Sequence, residues 1–309
     1  MSNPHIPPIP LDSSLYSLDE AELAFFKAQT GIQDEEELKK HIIAVQEKAY
    51  KVYPYPCIRR FSFTKIKVAR LPGYKMDLME MAKNRKGAIF LDIGCGFGNA
   101  TRKVVFDGFP IEGVIASDLR REFWDFGHEL FKSTPETFPV PFIQGDAFDS
   151  NFIAPNPVLY DEPPTEPTPP LASLTSLNPL RGYISAIHAS SFFHLFSEDL
   201  QRELGERLAS LLSPLPGSII FGSHIGLLEK GLIHGEGARA GFSMFCHSPQ
   251  SWRELWNGGI FKKGSVQAFA MVKEVERTVG DKVVKMQMLV WCVKRLADGV
   301  VLDCGPTRV

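Results

Sequence analysis

GAIFLDIGCGFGNATRKVVFDGF, residues 87–109, decides how the chain is read. A short apolar run, AIFLDI, passes into a loop with glycine at every second position, and NATRKVVFDGF then has the spacing of a helix. A strand that ends in glycines and turns directly into a helix opens a parallel α/β sheet, the setting in which helix N-termini point toward ligands. What this loop holds is the functional question.

The rest of the chain keeps the same rhythm. EGVIASD predicts a second strand, FWDFGHELFKS a second helix, and PFIQGDAFD a third strand with its loop. YISAIHAS predicts a fourth strand. SEDLQRELGERLASLLS follows as a helix capped by Ser197, with Leu200, Leu204, Leu208 and Leu211 on one face. PGSIIFGSH is a fifth strand, and Ser248 with Pro249 opens another helix. Two β-rich stretches, VQAFAMVKEVE and VVKMQMLVWCVKRL, are joined by RTVGDK, whose glycine and aspartate suit a hairpin. The pattern is an α/β, Rossmann-like fold: a mostly parallel seven-stranded sheet with an antiparallel last strand at or near the edge.

Upstream, the chain reads as helices with one apolar face. Ser17 and Glu20 have capping-box spacing ahead of EAELAFFKAQ, and the acidic run at 34–37 suits the positive end of a second helix. Pro54 and Pro56 stop that helix, and LPGYKMDLMEMAKN is a third. The expected organisation is a helical cap or lid over 1–85 and a ligand-binding catalytic domain over 86–309. Within the second, 151–180 holds eight of the chain's 23 prolines and reads as a partly extended, mobile surface loop. The glycine-rich segment 223–248 is pliable enough to serve as a substrate lid.

Composition narrows the ligand. With 309 residues and 44% hydrophobic content the chain can bury a full core, and a formal charge of -2 leaves no basic surface for tracking a nucleic-acid backbone. A small-molecule substrate is therefore expected, and no nucleic acid. Five scattered cysteines without a CxxC pair suit reduced thiols and neither a disulfide framework nor a metal site. No apolar run nears the roughly 20 residues that span a bilayer, and MSNPHIPPIP lacks the character of a targeting peptide, so a cytoplasmic location and no membrane association are expected. The sequence carries no signature of oligomeric state.

Two nucleotide classes compete for the glycine loop. A dinucleotide loop, G-x-G-x-x-G, counted from Gly94 and Gly96, would place its third glycine at residue 99, which is asparagine; the glycine stands instead at Gly98. No Gly-Lys-Ser/Thr follows, so a Walker loop is excluded. The actual spacing, Asp92-x-Gly94-x-Gly96-x-Gly98, sets a carboxylate beside the site. That repels an anion and welcomes a ligand bearing an ammonium group. Asp118, ending the second strand with Leu119 beside it, can accept from both ribose hydroxyls. Asp146, after the third strand, can accept from an adenine amino group while Ala147 or Phe148 packs on the ring. Together these features describe S-adenosylmethionine (SAM).

Here the chain resembles the class I SAM-dependent methyltransferases over roughly residues 86–296. Gly94, Gly96 and Gly98 match that family's first motif, Asp118 its strand-two acid and Asp146 its adenine contact; the closing hairpin is similar to its reversed last strand. More narrowly, IHASSFFHLFSEDLQ (187–201), LLSPLPGSIIFGSH (211–224) and MFCHSPQSWRELW (244–256) resemble fungal secondary-metabolite methyltransferases, including those of meroterpenoid pathways. The resemblance implies methyl transfer to oxygen, a carboxylate or hydroxyl, of a small polyketide or terpenoid, and it makes YPYPCIRRF part of a cap over the pocket.

A carboxylate acceptor needs no base, whereas a hydroxyl does, and histidine is the usual provider. His194 and His188 flank the end of the fourth strand and are the catalytic candidates, with His188 also a candidate to touch the cofactor. Tyr53, Tyr55, Phe192, Phe193, His224, Met244 and His247 are candidates to line the substrate pocket. Two other functions fit the same pattern: an NAD(P)-dependent oxidoreductase, disfavoured by Asp92 and Asn99, and a SAM-binding partner protein without catalysis.

Overall fold

The computed structural model describes residues 9–234, 243–279 and 282–297. Its strands, in chain order, are β1 (Phe90–Ile93), β2 (Val114–Asp118), β3 (Phe142–Gln144), β4 (Ala186–His188), β5 (Ile219–Ile225), β6 (Gly231–Ile233), β7 (Met244–Cys246), β8 (Val266–Val279) and β9 (Lys282–Arg295). Seven of them form one sheet in the order β3-β2-β1-β4-β5-β9-β8, while β6 and β7 pair as a separate ribbon. Pairing is parallel from β3 to β5, and β9 runs antiparallel between β5 and β8. The expected Rossmann-like fold with its reversed last strand is present. The hairpin joint at Gly280 and Asp281 lies outside the described residues.

Strand order reverses between β1 and β4, so the loops leaving these two strands diverge and open a crevice at their C-terminal ends. Both sheet faces are covered, which is why the central strands read as continuous apolar runs. Leu91 and Ile93 join Ile115, Ile187 and Ile220 on one face, and Phe90 joins Val114, Ala116 and Phe221 on the other. Asp92 shares the Phe90 face, which sends its carboxylate under the following helix.

The helices are α1 (Glu20–Thr30), α2 (Glu35–Val52), α3 (Pro56–Arg59), α4 (Met79–Asn84), α5 (Asn99–Phe106), α6 (Arg121–Leu130), α7 (Glu198–Leu211) and α8 (Pro249–Trp256). Ser197 caps α7, and Ser248 caps α8 with Pro249 in its first turn, as the sequence predicts. The first capping box differs: Asp19 and Glu22 form it reciprocally, and Ser17 lies outside the helix. The stretch expected as a third long helix is a π-turn over 74–78 followed by the short α4, with the Tyr74 hydroxyl donating to Asp107 at 2.7 Å.

The N-terminal helices have an apolar core of their own, and it reaches into the sheet domain. Phe25, Phe26, Leu38, Ile42 and Val45 pack with Phe63, Phe97, Phe123 and Phe131. Phe97, from the glycine loop itself, stacks on Phe63 with ring centroids 4.6 Å apart. Asn99 adds a hydrogen bond from its amide to the Lys65 carbonyl at 2.6 Å. The helical layer is thereby bolted to the outside of the glycine loop and to α6.

Two loop expectations change. Segment 151–180 is anchored: Ile153, Leu177 and Leu180 are fully buried in the main core, and the Asn178 side chain bonds the backbone of residues 150, 151 and 154. Within 223–248, the first residues belong to the buried strand β5 and others to the β6–β7 ribbon. Residues 235–242 of that candidate lid lie outside the described residues.

Candidate active site

The glycine loop connects β1 to α5 and turns three times through positive φ, at Gly94 (69°), Gly96 (54°) and Gly98 (70°). Each glycine has a different neighbour. A Cβ at Gly94 would lie 3.1 Å from the Phe192 ring, and one at Gly98 would lie 2.5 Å from Trp124. At Gly96 it would meet nothing within 4 Å. The middle of the loop therefore offers its backbone to open space, while its ends are pressed against aromatic rings.

Asp118 ends β2 beside that opening. Its Oδ2 accepts from the Gly96 N–H at 2.9 Å and its Oδ1 from the Arg120 N–H at 3.0 Å. Each oxygen retains a lone pair for a further donor. Burial pushes the Asp118 carboxyl up from its ordinary value, and the Gly96 and Arg120 N–H groups oppose that rise. Next to it, Leu119 is 56% exposed, an apolar side chain held out at the rim. Asp146 is exposed and accepts from the Phe148 N–H at 2.9 Å; Ala147 points into the core, and Phe148 packs edge-on against Phe196.

Asp92 is 1% exposed, and its position corrects the sequence reading. Its Oδ2 accepts from Thr101 Oγ1 at 2.6 Å, and its Oδ1 meets His188 Nδ1 at 2.8 Å. Both oxygens are engaged within the protein beneath the loop, so the carboxylate does not face outward toward a ligand ammonium group. The Cys95 thiol, between two of the glycines, is pushed well up by burial, with Asp118 and Asp92 adding to the effect, and stays a neutral filler of the turn.

His188, the last residue of β4, lies opposite Asp92 in the β1–β4 register. Its other ring nitrogen, Nε2, meets Ser190 Oγ at 2.7 Å. Ser191 has φ +53°, and Phe192 then lies across Gly94, so 190–192 form the wall facing the glycine loop. His194 follows in a 3-10 turn (Phe193–Leu195), half-buried, its ring centroid 6.3 Å from that of His224.

The residues expected to line the pocket are dispersed, and two of them are core. Phe193 and His224 are fully buried among Trp252, Trp256 and Trp291, and the Trp291 indole N–H donates to His224 Nδ1 at 3.0 Å. Both are core residues, because α8 and β9 bring three tryptophans over the end of β5. Tyr53 and Tyr55 sit against each other at 4.1 Å, Arg120 covers Tyr53, and Tyr55 packs on Phe123. They therefore stand at the Asp118 end of the crevice, away from β4 and β5. His247 is buried, bonded through Nδ1 to Ser251 Oγ at 2.9 Å, and borders a polar pocket of about 160 Å³ with Arg202 and Lys230; Met244 is half-buried in β7. Sequence reasoning missed Thr101 and Arg120. Thr101 leaves one signal, a hydroxyl on a helix face that is otherwise apolar.

Residues 11–64 match the family described as the meroterpenoid methyltransferase N-terminal domain. The chain is 33% identical to O-methyltransferase phiE of a fungus (Fungal sp.) over 241 residues, 78% of this chain and 71% of that protein. The chain belongs to this family of fungal methyltransferases. Methyltransferase ausD of Aspergillus calidoustus is 30% identical over 70% of this chain and 68% of its own length. The asnovolin E/chermesin D methyltransferase nvfJ of Aspergillus novofumigatus is 27% identical over 84% and 83%. This methyltransferase has the strand order and reversed last strand expected of a class I enzyme, for which the cofactor would be SAM. The site fits that cofactor: the open cradle at Gly96, the remaining lone pairs of Asp118 and the rim at Leu119 and Asp146 match the needs of a nucleoside with a vicinal diol.

Proposed function

We propose that the enzyme methylates an oxygen, a carboxylate or hydroxyl, of a small polyketide or terpenoid, with the nucleoside of SAM along the ends of β1 and β2 and the acceptor over the ends of β4 and β5. The observation that carries this reading is the open backbone at Gly96 beside the Asp118 carboxylate, directly next to the wall formed by 190–192. SAM supplies an electrophilic methyl group on a positively charged sulfur. Asp118 would accept the ribose hydroxyls, the glycine loop would let the nucleoside approach the backbone, and Asp146 and Leu119 would border the base. Phe192 would wall the reacting centre from water, which in-line transfer between two held groups requires.

The helical layer, taken as residues 1–85, acts as a cap over the nucleoside end. Tyr53 and Arg120 close over Asp118, and Phe97 ties cap and loop together. Among the described residues no helix is long and apolar enough to cross a membrane.

Calorimetric titration of the purified protein with SAM, S-adenosylhomocysteine and NADH tests the reading. Binding of the first two with micromolar affinity and none of NADH is expected, followed by methylation of carboxylic acids or phenols in a substrate screen. Binding of NADH alone would refute the cofactor placement.

A further inference from the structure

We propose that Ser190, aligned by His188 and Asp92, receives the proton of a hydroxyl acceptor, so that the three form a relay leading from the mouth of the crevice to a buried carboxylate. The inference rests on the O-methylation reading above and supplies the base that a hydroxyl acceptor requires. The contacts form one unbroken line: Ser190 Oγ to His188 Nε2 at 2.7 Å, and His188 Nδ1 to Asp92 Oδ1 at 2.8 Å.

The direction of each bond follows from counting donors and acceptors. An ionised carboxylate only accepts, so Thr101 donates to Oδ2 of Asp92 and His188 donates its Nδ1–H to Oδ1. His188 Nε2 is then the acceptor, and Ser190 donates to it. Ser190 Oγ also accepts from the Ser223 N–H at 3.1 Å. A hydroxyl has one donor and two lone pairs, so one lone pair of Ser190 remains for an incoming O–H. Ser190 is half-buried, whereas His188 and Asp92 are 5% and 1% exposed. Ser190 is thus the group of the line that an acceptor can touch, and His188 and Asp92 act through it.

The placement suits the reaction. The turn at Ser191 adopts a left-handed conformation that side chains resist, and it sets Ser190 over His188 while Phe192 lies on Gly94 at the cofactor loop. Two further bonds hold the turn to β5: the Ser191 N–H donates to the Ser223 carbonyl at 2.6 Å, and the Ser223 N–H donates to Ser190. As the acceptor O–H bond breaks, its proton passes to Ser190 Oγ and the Ser190 proton passes to His188 Nε2. The electron pair left on the acceptor oxygen forms the new C–O bond, and the pair of the broken C–S bond stays on the departing thioether sulfur. The proton rests on an imidazolium facing the Asp92 carboxylate and afterwards returns to water. Groups packed around His188 do not compete for it: Asp92 comes from β1, Thr101 from α5, the Phe221 ring from β5 at 5.3 Å, and the nearby Cys95 thiol stays neutral.

The test uses the full-length protein labelled with ¹⁵N-histidine, in complex with S-adenosylhomocysteine. The relay predicts that His188 at pH 7 carries its proton on Nδ1 and leaves Nε2 unprotonated; a proton on Nε2 overturns it. Absence of S-adenosylhomocysteine binding would refute the cofactor reading instead, so the two failures are distinct. With SAM and 4-methylphenol, a phenol that is still protonated at neutral pH, as the acceptor probe, Ser190→Ala lowers kcat about a hundredfold at neutral pH with little change in KM. The deficit closes as pH rises through the ionisation of the phenol, because a phenolate needs no base. Ser190→Thr, which keeps the hydroxyl, restores kcat. A Ser190→Ala loss that is equal at every pH, or no loss at all, overturns the relay. If 4-methylphenol is not methylated, the His188 tautomer decides alone.

Discussion

The glycine loop makes one prediction that separates folding from cofactor binding within a few residues. Gly96 and Gly98 both have positive φ, at 54° and 70°, so an alanine at either costs about 1–2 kcal/mol of backbone strain. At Gly98 the added methyl group would stand 2.5 Å from Trp124 Cζ3. Trp124 is buried and stacked on Phe142 with centroids 5.4 Å apart, so it has little room to yield. Overpacking of this kind adds about 1–3 kcal/mol, for a total of roughly 2–5 kcal/mol in Gly98→Ala. At Gly96 the methyl group meets no protein atom within 4 Å and points into the cradle. Stability then falls only by the strain, while a ligand packed on that backbone meets the same clash of about 1–3 kcal/mol, roughly 5- to 150-fold in affinity. In a chain of this size each kcal/mol lowers Tm by roughly 2 °C. Thermal unfolding with and without saturating S-adenosylhomocysteine reads both effects. The expected pattern is that Gly98→Ala melts roughly 4–10 °C early. Gly96→Ala melts only about 2–4 °C early when ligand-free and loses most of the ligand-induced rise in Tm. A Gly96→Ala variant with wild-type affinity would refute the placement of the cofactor.

Two other outcomes follow from the same geometry. Asp118→Ala removes the acceptor for the Gly96 N–H and the proposed ribose contacts; hydrogen bonds to a charged group are worth about 1.5–3 kcal/mol each, so calorimetry should find affinity for S-adenosylhomocysteine reduced roughly a hundredfold or more. Unchanged affinity would sink that assignment. Acid should destabilise the fold through two buried histidines. Burial lowers His224 well below its ordinary value of 6.5 and His247 to about 4. Their unfolded forms take up protons near 6.5 and their folded forms do not, so this stability is complete above that pH and declines below it. His247 alone accounts for about 3 kcal/mol, lost progressively between pH 6.5 and 4. Urea unfolding at pH 7.5, 6 and 5 checks the trend, and a free energy flat across that range would contradict it.

Much of the chain's architecture is legible in its sequence because it rests on local chemistry. Alternating strands and helices, the serine caps of α7 and α8 and the three glycines each depend on a handful of neighbouring residues. Asp118 is legible for the same reason: an acid ending the strand after a glycine loop has one place to be. The first helix cap shows the limit of that reasoning, since Ser17 and Asp19 are both competent and the backbone path selects Asp19. The proline-rich segment misleads because composition reports a lack of periodicity and says nothing of which side chains the core will take up; Ile153, Leu177 and Leu180 are buried.

The roles of the histidines were decided only by tertiary structure. His188, His194, His224 and His247 look alike in the sequence, yet burial and partners differ for each. Asp92 and His188 are 96 positions apart, and only the parallel register of β1 against β4 sets them side by side. Phe193 and His224 become core because α8 and β9, distant in the chain, close three tryptophans over them. The fold class, the glycine loop and the acid beside it can be read from the chain alone, since these depend on backbone conformations and charges within single turns. The tertiary structure decided which polar groups face the crevice and which are consumed inside the protein, because a hydrogen bond between strands depends on register and burial, and both are properties of the assembled sheet.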